Sequence, residues 1–262
     1  MKYSACIELL FSEVSFLQRI RKSKENNFNA IEFWDWKGKD LEAITNECNN
    51  NEIKIASFVG NTEGQMIVPE DRDIFINGVK KSIGVAKDLK CENLILTTNI
   101  LRDDRTVEPI PYNLSNEDKR ENILNVLKKL APVAEKAGIV LNVEPLNTIV
   151  DHKGYFLEHS KDGFDLIREV NSKNIRLLYD IYHMQIMEGN ILENISNNIE
   201  YIGYIHVADV PGRNEPGTGE INYKNVYKKL NDLNYTGFVG FEYIPSKSTE
   251  VSLINVKKIF NF

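Results

Sequence analysis

The stretch Tyr201-Ile-Gly-Tyr-Ile-His-Val-Ala-Asp-Val-Pro-Gly-Arg213 divides into two unlike halves. Its first half is short, mostly apolar and rich in β-branched and aromatic residues, the composition of a buried strand. Its second half collects His206, Asp209 and Arg213 and runs into the Pro- and Gly-rich loop Asn214-Glu-Pro-Gly-Thr-Gly219. An apolar strand with polar residues at its carboxyl end, followed by a loop, is how α/β proteins build sites. A single such stretch would equally suit a core strand whose histidine merely hydrogen-bonds inside. The same layout, however, recurs nearby.

From Ser4 onward, short apolar runs alternate with longer helical patterns eight times. The runs are Ala5–Leu10, Ala30–Trp34, Lys54–Val59, Asn93–Thr97, Val140–Glu144, Ile175–Asp180, Ile202–Ala208 and Phe238–Tyr243. Between them apolar residues fall at three- and four-residue steps, as in Phe16, Leu17 and Ile20, or Ile123, Val126, Leu127 and Leu130, the spacing of one helical face. Gly138 and Gly237 read as helix-ending glycines, and Ser115-Asn-Glu-Asp118 offers a cap and early acidic residues. Eight strand–helix units with no low-complexity linker predict one α/β domain over residues 1–262, a (β/α)8 TIM barrel. A doubly wound open sheet would place a Gly-rich phosphate loop after the first strand, where Leu10-Phe-Ser-Glu13 stands instead. Two long post-strand loops, Gly60–Glu70 and Ile100–Tyr112 with Pro109 and Pro111, are expected on the carboxyl-terminal face, where barrels keep lids and substrate contacts.

Bulk composition narrows the function classes. The 262 residues are 42% hydrophobic and 27% charged, ordinary for a globular chain. A formal net charge of -6 argues against a nucleic-acid surface. The absence of a long uncharged apolar run argues against a membrane span. Glu8 would interrupt the apolar core of a leader peptide, so the opening reads as a first strand. Cys6, Cys48 and Cys91 are odd in number and far apart, which suggests neither disulfides nor a zinc knuckle and fits a cytoplasmic protein.

The last four strands each deliver one ionisable residue to the same end. Glu144, Asp180, His206 and Glu242 are all flanked by apolar neighbours. Buried carboxylates repel one another and cost several kcal/mol without a counter-charge, so folding alone does not recommend three together. One divalent metal resolves the repulsion, and three carboxylates with one imidazole suit Mn²⁺ or Mg²⁺, with Co²⁺ or Zn²⁺ as further candidates. His183 stands three residues past Asp180, within reach of a ligand. Arg213 offers a fork of donors to a substrate carboxylate or hydroxyl. Glu32 ends the second strand and is a candidate to line the pocket; Trp34 and Trp36 suit either an apolar wall or core or interface packing. Glu215 and Glu220 lie on so polar a loop that they read as solvated.

Val143-Glu-Pro-Leu-Asn147, Leu178-Tyr-Asp-Ile-Tyr-His-Met-Gln-Ile-Met-Glu-Gly-Asn190, His206–Pro216, Gly219-Glu-Ile-Asn-Tyr223 and Tyr235–Pro245 together resemble the hydroxypyruvate isomerase family. That family belongs to the xylose isomerase-like barrels, with the tagatose and allulose 3-epimerases. The likeness is densest from about Leu141 to Pro245, and Glu8-Leu-Leu-Phe-Ser-Glu13 is also similar. It implies a metal bound by Glu144, Asp180, His206 and Glu242, proton transfer by Glu144 and Glu242, and substrate contacts by His183 and Arg213. It also implies a homo-oligomer, a dimer or tetramer. Hydroxypyruvate isomerases commonly carry glutamine where this chain has His206; the 3-epimerases carry a glutamate where it has Val150.

Such a site would interconvert hydroxypyruvate and tartronate semialdehyde, or a close short-chain analogue, through an enediolate. The small-molecule hydroxy-carbonyl substrate would lie between Glu144 and Glu242, which come from non-adjacent strands. A ketose 3-epimerase or a 2-oxotetronate isomerase would use the same metal site. An apurinic endonuclease gathers more histidines than the 4 present here. A non-catalytic sugar-binding barrel has no need of paired proton-transfer groups.

Overall fold

In this computed structural model of the chain, residues 1–102, 104–110 and 112–262 are described; Pro111, one of the two loop prolines singled out above, lies outside them. The strands are β1 (Lys2–Cys6), β2 (Ala30–Phe33), β3 (Lys54–Val59), β4 (Asn93–Leu96), β5 (Val140–Val143), β6 (Ile175–Asp180), β7 (Ile202–Val207) and β8 (Phe238–Phe241). They pair in chain order into a closed barrel. The barrel shuts where β8 pairs in parallel with β1, from Lys2↔Phe238 to Ala5↔Phe241. Outside lie α1 (Phe16–Glu25), α2 (Leu41–Asn50), α3 (Arg72–Asp88), α4 (Asn116–Ala137), α5 (Ser160–Val170), α6 (Ile181–Met187), α7 (Ile191–Asn198), α8 (Tyr223–Asp232) and α9 (Thr249–Phe260). This is the expected (β/α)8 barrel. Strands with helices on one face and a filled lumen on the other have no wet side, so they read as continuous apolar runs.

The lumen has its own small apolar cluster of Ala30, Ala56, Ile95, Leu178, Tyr204 and Phe238. Successive same-face positions then turn polar: Ala30 leads to Glu32, Leu178 to Asp180, Tyr204 to His206, and Phe238 through Gly240 to Glu242. Register keeps them level, with Asp180 opposite His206 and His206 opposite Gly240. Gly240 is required there, because a Cβ would come within 2.6 Å of both Glu32 carboxylate oxygens. The polar set therefore caps an apolar plug at the carboxyl end of the barrel.

Two punctuation readings hold in detail. Ser115 caps α4, accepting from the Asp118 N–H at 3.1 Å while Asp118 accepts from the Ser115 N–H at 3.3 Å. Gly138 ends α4 at φ 70.

Others are corrected. The first strand is not Ala5–Leu10: β1 ends at Cys6, whose carbonyl accepts from the N–H groups of Leu9 and Leu10 in a turn. Ile7, Leu10 and Phe11 stay apolar because the turn itself is buried. Gly237 does not end a helix. The left-handed residue after α8 is Asn234, at φ 53, a role asparagine tolerates. At Gly237 a Cβ would fall 2.4 Å from the Tyr235 hydroxyl oxygen. Leu17 turns outward at 38% exposure.

The 60–70 loop folds down over the barrel, burying Met66, Ile67 and Val68, and the Met66 N–H donates to the Thr98 carbonyl at 2.9 Å. A third long connection, between β5 and α5, was not singled out by its sequence. It is held shut by the Leu146 N–H on the Leu157 carbonyl at 3.1 Å. The Tyr155 hydroxyl also donates to the Glu144 carbonyl at 2.8 Å. Among the described residues no helix is long and apolar enough to cross a membrane.

Candidate active site

Glu144 is the first residue past β5, Asp180 the last of β6, His206 the penultimate of β7 and Glu242 the first past β8. Each offers one ligand atom, and the four atoms lie within 4.8 Å of one another. All four residues are buried. His206 Nδ1 stands 3.3 Å from Glu242 Oε2 and 3.6 Å from Glu144 Oε1. His206 Nδ1 and Glu144 Oε1 are nevertheless buried without an aligned hydrogen-bond partner. These two atoms, unpartnered and converging with Asp180 and Glu242 on one point, fit a bound cation.

The environments push like groups apart. Burial lifts the Glu144 carboxyl to about 7, against the hydrogen bond and charge of His206. Burial likewise lifts Asp180 to about 6, opposed by the charge of Arg213. Burial would lift Glu242 too, but Arg213 and His206 outweigh it and hold that carboxyl well below the usual range. His206 is buried, yet the charges of Glu32 and Glu242 keep its imidazole well above its ordinary value. His183 moves the other way, pushed well down by burial and then by the positive charge of Arg213.

Arg213 joins this group at 2.6 Å from Glu242 Oε2, with its guanidinium 5.2 Å above the Tyr182 ring. Asp209 makes that reach possible. Fully buried, it accepts from the N–H groups of Val210, Gly217, Thr218 and Ile221 at 2.7 to 3.1 Å and so organises the whole 209–221 loop. Asp180 also caps α6, accepting from the Tyr182 N–H at 2.8 Å, and this turn sets His183 Nε2 at 3.4 Å from Asp180 Oδ2.

Several neighbours were only half visible in the sequence. Glu32 is 2% exposed, hydrogen-bonds the Tyr204 hydroxyl, and brings Oε1 to 3.2 Å from His206 Nε2, on the far side of the ring from Glu144 and Glu242. Trp34 belongs to the site, its indole N–H donating to Glu242 Oε1 at 2.7 Å, whereas Trp36 donates to Ser82 on α3. Glu215 is not solvated: it is buried and accepts from the Ser246 N–H at 2.9 Å. Glu220 is exposed, as read. Asn147 and Asp151, from the β5–α5 loop, were missed as neighbours of His183 and Tyr182. The Asn147 in Val143-Glu-Pro-Leu-Asn147 was the one available signal.

Residues 20–257 match the model of the xylose isomerase-like TIM barrel family. The chain is 31% identical over 260 residues to the hydroxypyruvate isomerase of Escherichia coli (strain K12), with 97% of each chain covered. It is 26% identical over 259 residues, 96% of each chain, to a 2-oxo-tetronate isomerase of Cupriavidus necator. The crystal structure of an AP endonuclease, family 2, from Brucella melitensis matches with a TM-score of 0.88 at 27% identity, covering 98% of each chain. The chain belongs to the xylose isomerase-like TIM barrel family. Within that family it is an enzyme of the isomerase kind, like the curated relatives it matches along almost its full length.

Proposed function

We propose that this enzyme interconverts hydroxypyruvate and tartronate semialdehyde, or a close short-chain 2-oxo acid pair, with a divalent metal. The observation that carries the reading is the buried quartet: four ligand atoms lie within 4.8 Å of one another, and Glu144 and Glu242, from non-adjacent strands, both face one imidazole nitrogen. Two carboxyls placed on either side of one substrate can serve as its proton-transfer pair. Glu144, Asp180, His206 and Glu242 would hold the ion, Mn²⁺ or Mg²⁺ before Co²⁺ or Zn²⁺ for so oxygen-rich a set. When bound, it supplies Lewis acidity that polarises the substrate carbonyl and acidifies the adjacent carbon-bound proton.

The chain's own groups do the rest. Glu242, ionised, removes a proton from the hydroxymethyl carbon of hydroxypyruvate. Glu144 supplies the proton that the former carbonyl carbon of the enediolate takes up, and the hydroxyl proton passes to the neighbouring oxygen, giving the aldehyde. Arg213 holds the substrate carboxylate while its contact with Glu242 keeps that base charged. His183 meets a substrate oxygen. Trp34 covers Glu242 from the barrel mouth.

The match to a 2-oxo-tetronate isomerase favours a second reading, the same chemistry on a four-carbon acid. A ketose 3-epimerase is less well supported, because Val150 offers no carboxylate and is 65% exposed. Net charge -6 and 4 histidines also sit poorly with a phosphodiester backbone as substrate.

The test is a product assay on hydroxypyruvate, 2-oxotetronates and free ketoses with wild type and Arg213→Ala. The reading expects turnover of an acid, with a KM raised at least about tenfold in the variant for loss of one charged contact. Turnover of neutral ketoses alone, or an unchanged KM for the acid, would overturn it.

A further inference from the structure

His183 Nδ1 has two donors aimed at it. The backbone N–H of Asn147 donates to it at 3.2 Å, and the Asn147 side-chain nitrogen lies 2.7 Å away. The amide cannot be turned round to make its oxygen the partner. Asn147 Oδ1 already accepts from the N–H groups of Val150 and Asp151, each at 3.0 Å, and Nδ2 donates to Asp151 Oδ2 at 2.8 Å. A backbone N–H in any case only donates. Nδ1 is therefore an acceptor, and the ring's single proton is on Nε2. That nitrogen is buried, has no aligned partner, and stands 3.4 Å from Asp180 Oδ2 beside the four converging ligand atoms. The neighbouring ring of His152, 5.4 Å away, does not compete, because its Nδ1 is taken by the Arg105 carbonyl at 2.9 Å.

We propose that Asn147 is a positioning residue that fixes His183 as its Nε2–H tautomer, so that His183 meets the substrate as a hydrogen-bond donor and never as a base. The inference rests on the isomerase reading only for what the donor meets. A donor aimed at a substrate oxygen favours that oxygen as negative charge develops on it. It also leaves all carbon-proton transfer to the two glutamates. Specificity follows: the position facing Nε2 accepts an atom with a free lone pair and rejects an ammonium, which can only donate.

The decisive experiment is long-range ¹H–¹⁵N correlation spectroscopy on histidine-labelled protein, metal-free and loaded with Mg²⁺, with His183 assigned by its loss in His183→Gln. The expected spectrum shows His183 protonated on Nε2 and bare on Nδ1 in both states. Protonation on Nδ1, or rapid exchange between the two forms, would overturn the proposal whether or not hydroxypyruvate is the substrate. Asn147→Asp adds a kinetic arm, since it keeps the oxygen that caps Val150 and Asp151 but sets a carboxylate against Nδ1. It should draw a proton onto Nδ1 and lower kcat about tenfold to a hundredfold, with a smaller change in KM. Asn147→Ala, which retains the backbone donor, should keep the Nε2–H spectrum. An Asn147→Asp protein with wild-type spectrum and kcat would sink the idea.

Discussion

Glu144 and Glu242 carry the same side chain and face the same imidazole nitrogen, yet without a metal their carboxyls are pushed in opposite directions. The difference is Arg213 and the Trp34 indole, which donate to Glu242 and not to Glu144. This gives a pH signature in the chelated protein. Folded Glu144 keeps its proton up to about 7, whereas an unfolded glutamate loses it near about 4.3. Between those values the folded state binds more protons than the unfolded one. The stability linked to this group is thus fully present at low pH and lost as pH rises towards 7. Urea titrations should show Glu144→Gln gaining on wild type between pH 5 and 7, by on the order of 3 kcal/mol at most. With Mg²⁺ at saturation the gain should shrink or reverse, since the ion favours the ionised carboxylate. A gap independent of pH would mean that Glu144 is not held protonated. At this scale the ligand-like quartet was legible, because each residue is an isolated ionisable group with apolar flanks at the carboxyl end of its own apolar run. Glu32 and Asn147 were less so. Their partners lie 174 and 36 residues away in sequence (His206 and His183), and only barrel closure and a folded loop bring them into contact.

The 209–221 loop hangs on one side chain. Asp209 is fully buried and is the common acceptor for four backbone N–H groups, and the loop it gathers carries Arg213 at φ 55 over Glu242. Removing the carboxylate leaves those donors without their common acceptor, at about 1–3 kcal/mol for each that water does not reach. Asp209→Ala should lower unfolding stability by about 3 kcal/mol or more and raise KM for the acid substrate as Arg213 drifts. Asp209→Asn, which keeps one acceptor oxygen, should recover part of both. Equal stability of wild type and Asp209→Ala in urea would contradict this role. The sequence pointed to Asp209 without revealing its task, since one aspartate among site residues reads the same whether it binds a ligand or a backbone. Element ends were harder still. The apolar run after Cys6 continues because the turn is buried, and the glycine after α8 marks a tight contact with Tyr235 while Asn234 makes the turn.

At the scale of the molecule, eight repeated units close on themselves, and the ends of the chain help to seal the ring. The Tyr3 hydroxyl donates to the Phe260 carbonyl at 2.7 Å, and the Phe11 N–H donates to the Thr249 hydroxyl at 2.7 Å. Closure was legible from the repeat alone, because eight strand–helix units without a phosphate loop have few other ways to bury both faces of every strand. Closure also makes the site, since Glu144, Asp180, His206 and Glu242 meet only when β5 to β8 bend round a common axis. The proposed function makes this meeting point a metal-dependent proton-transfer centre for a small 2-oxo acid. The most direct test follows carbon-bound deuterium in hydroxypyruvate by NMR in D₂O, with protein loaded with Mn²⁺ or Mg²⁺ and with the same protein chelated. Exchange at the hydroxymethyl carbon is expected with the loaded enzyme, and its loss on chelation and in Glu144→Gln and Glu242→Gln. Exchange that survives chelation, or that appears only at C3 of a neutral ketose, would contradict it.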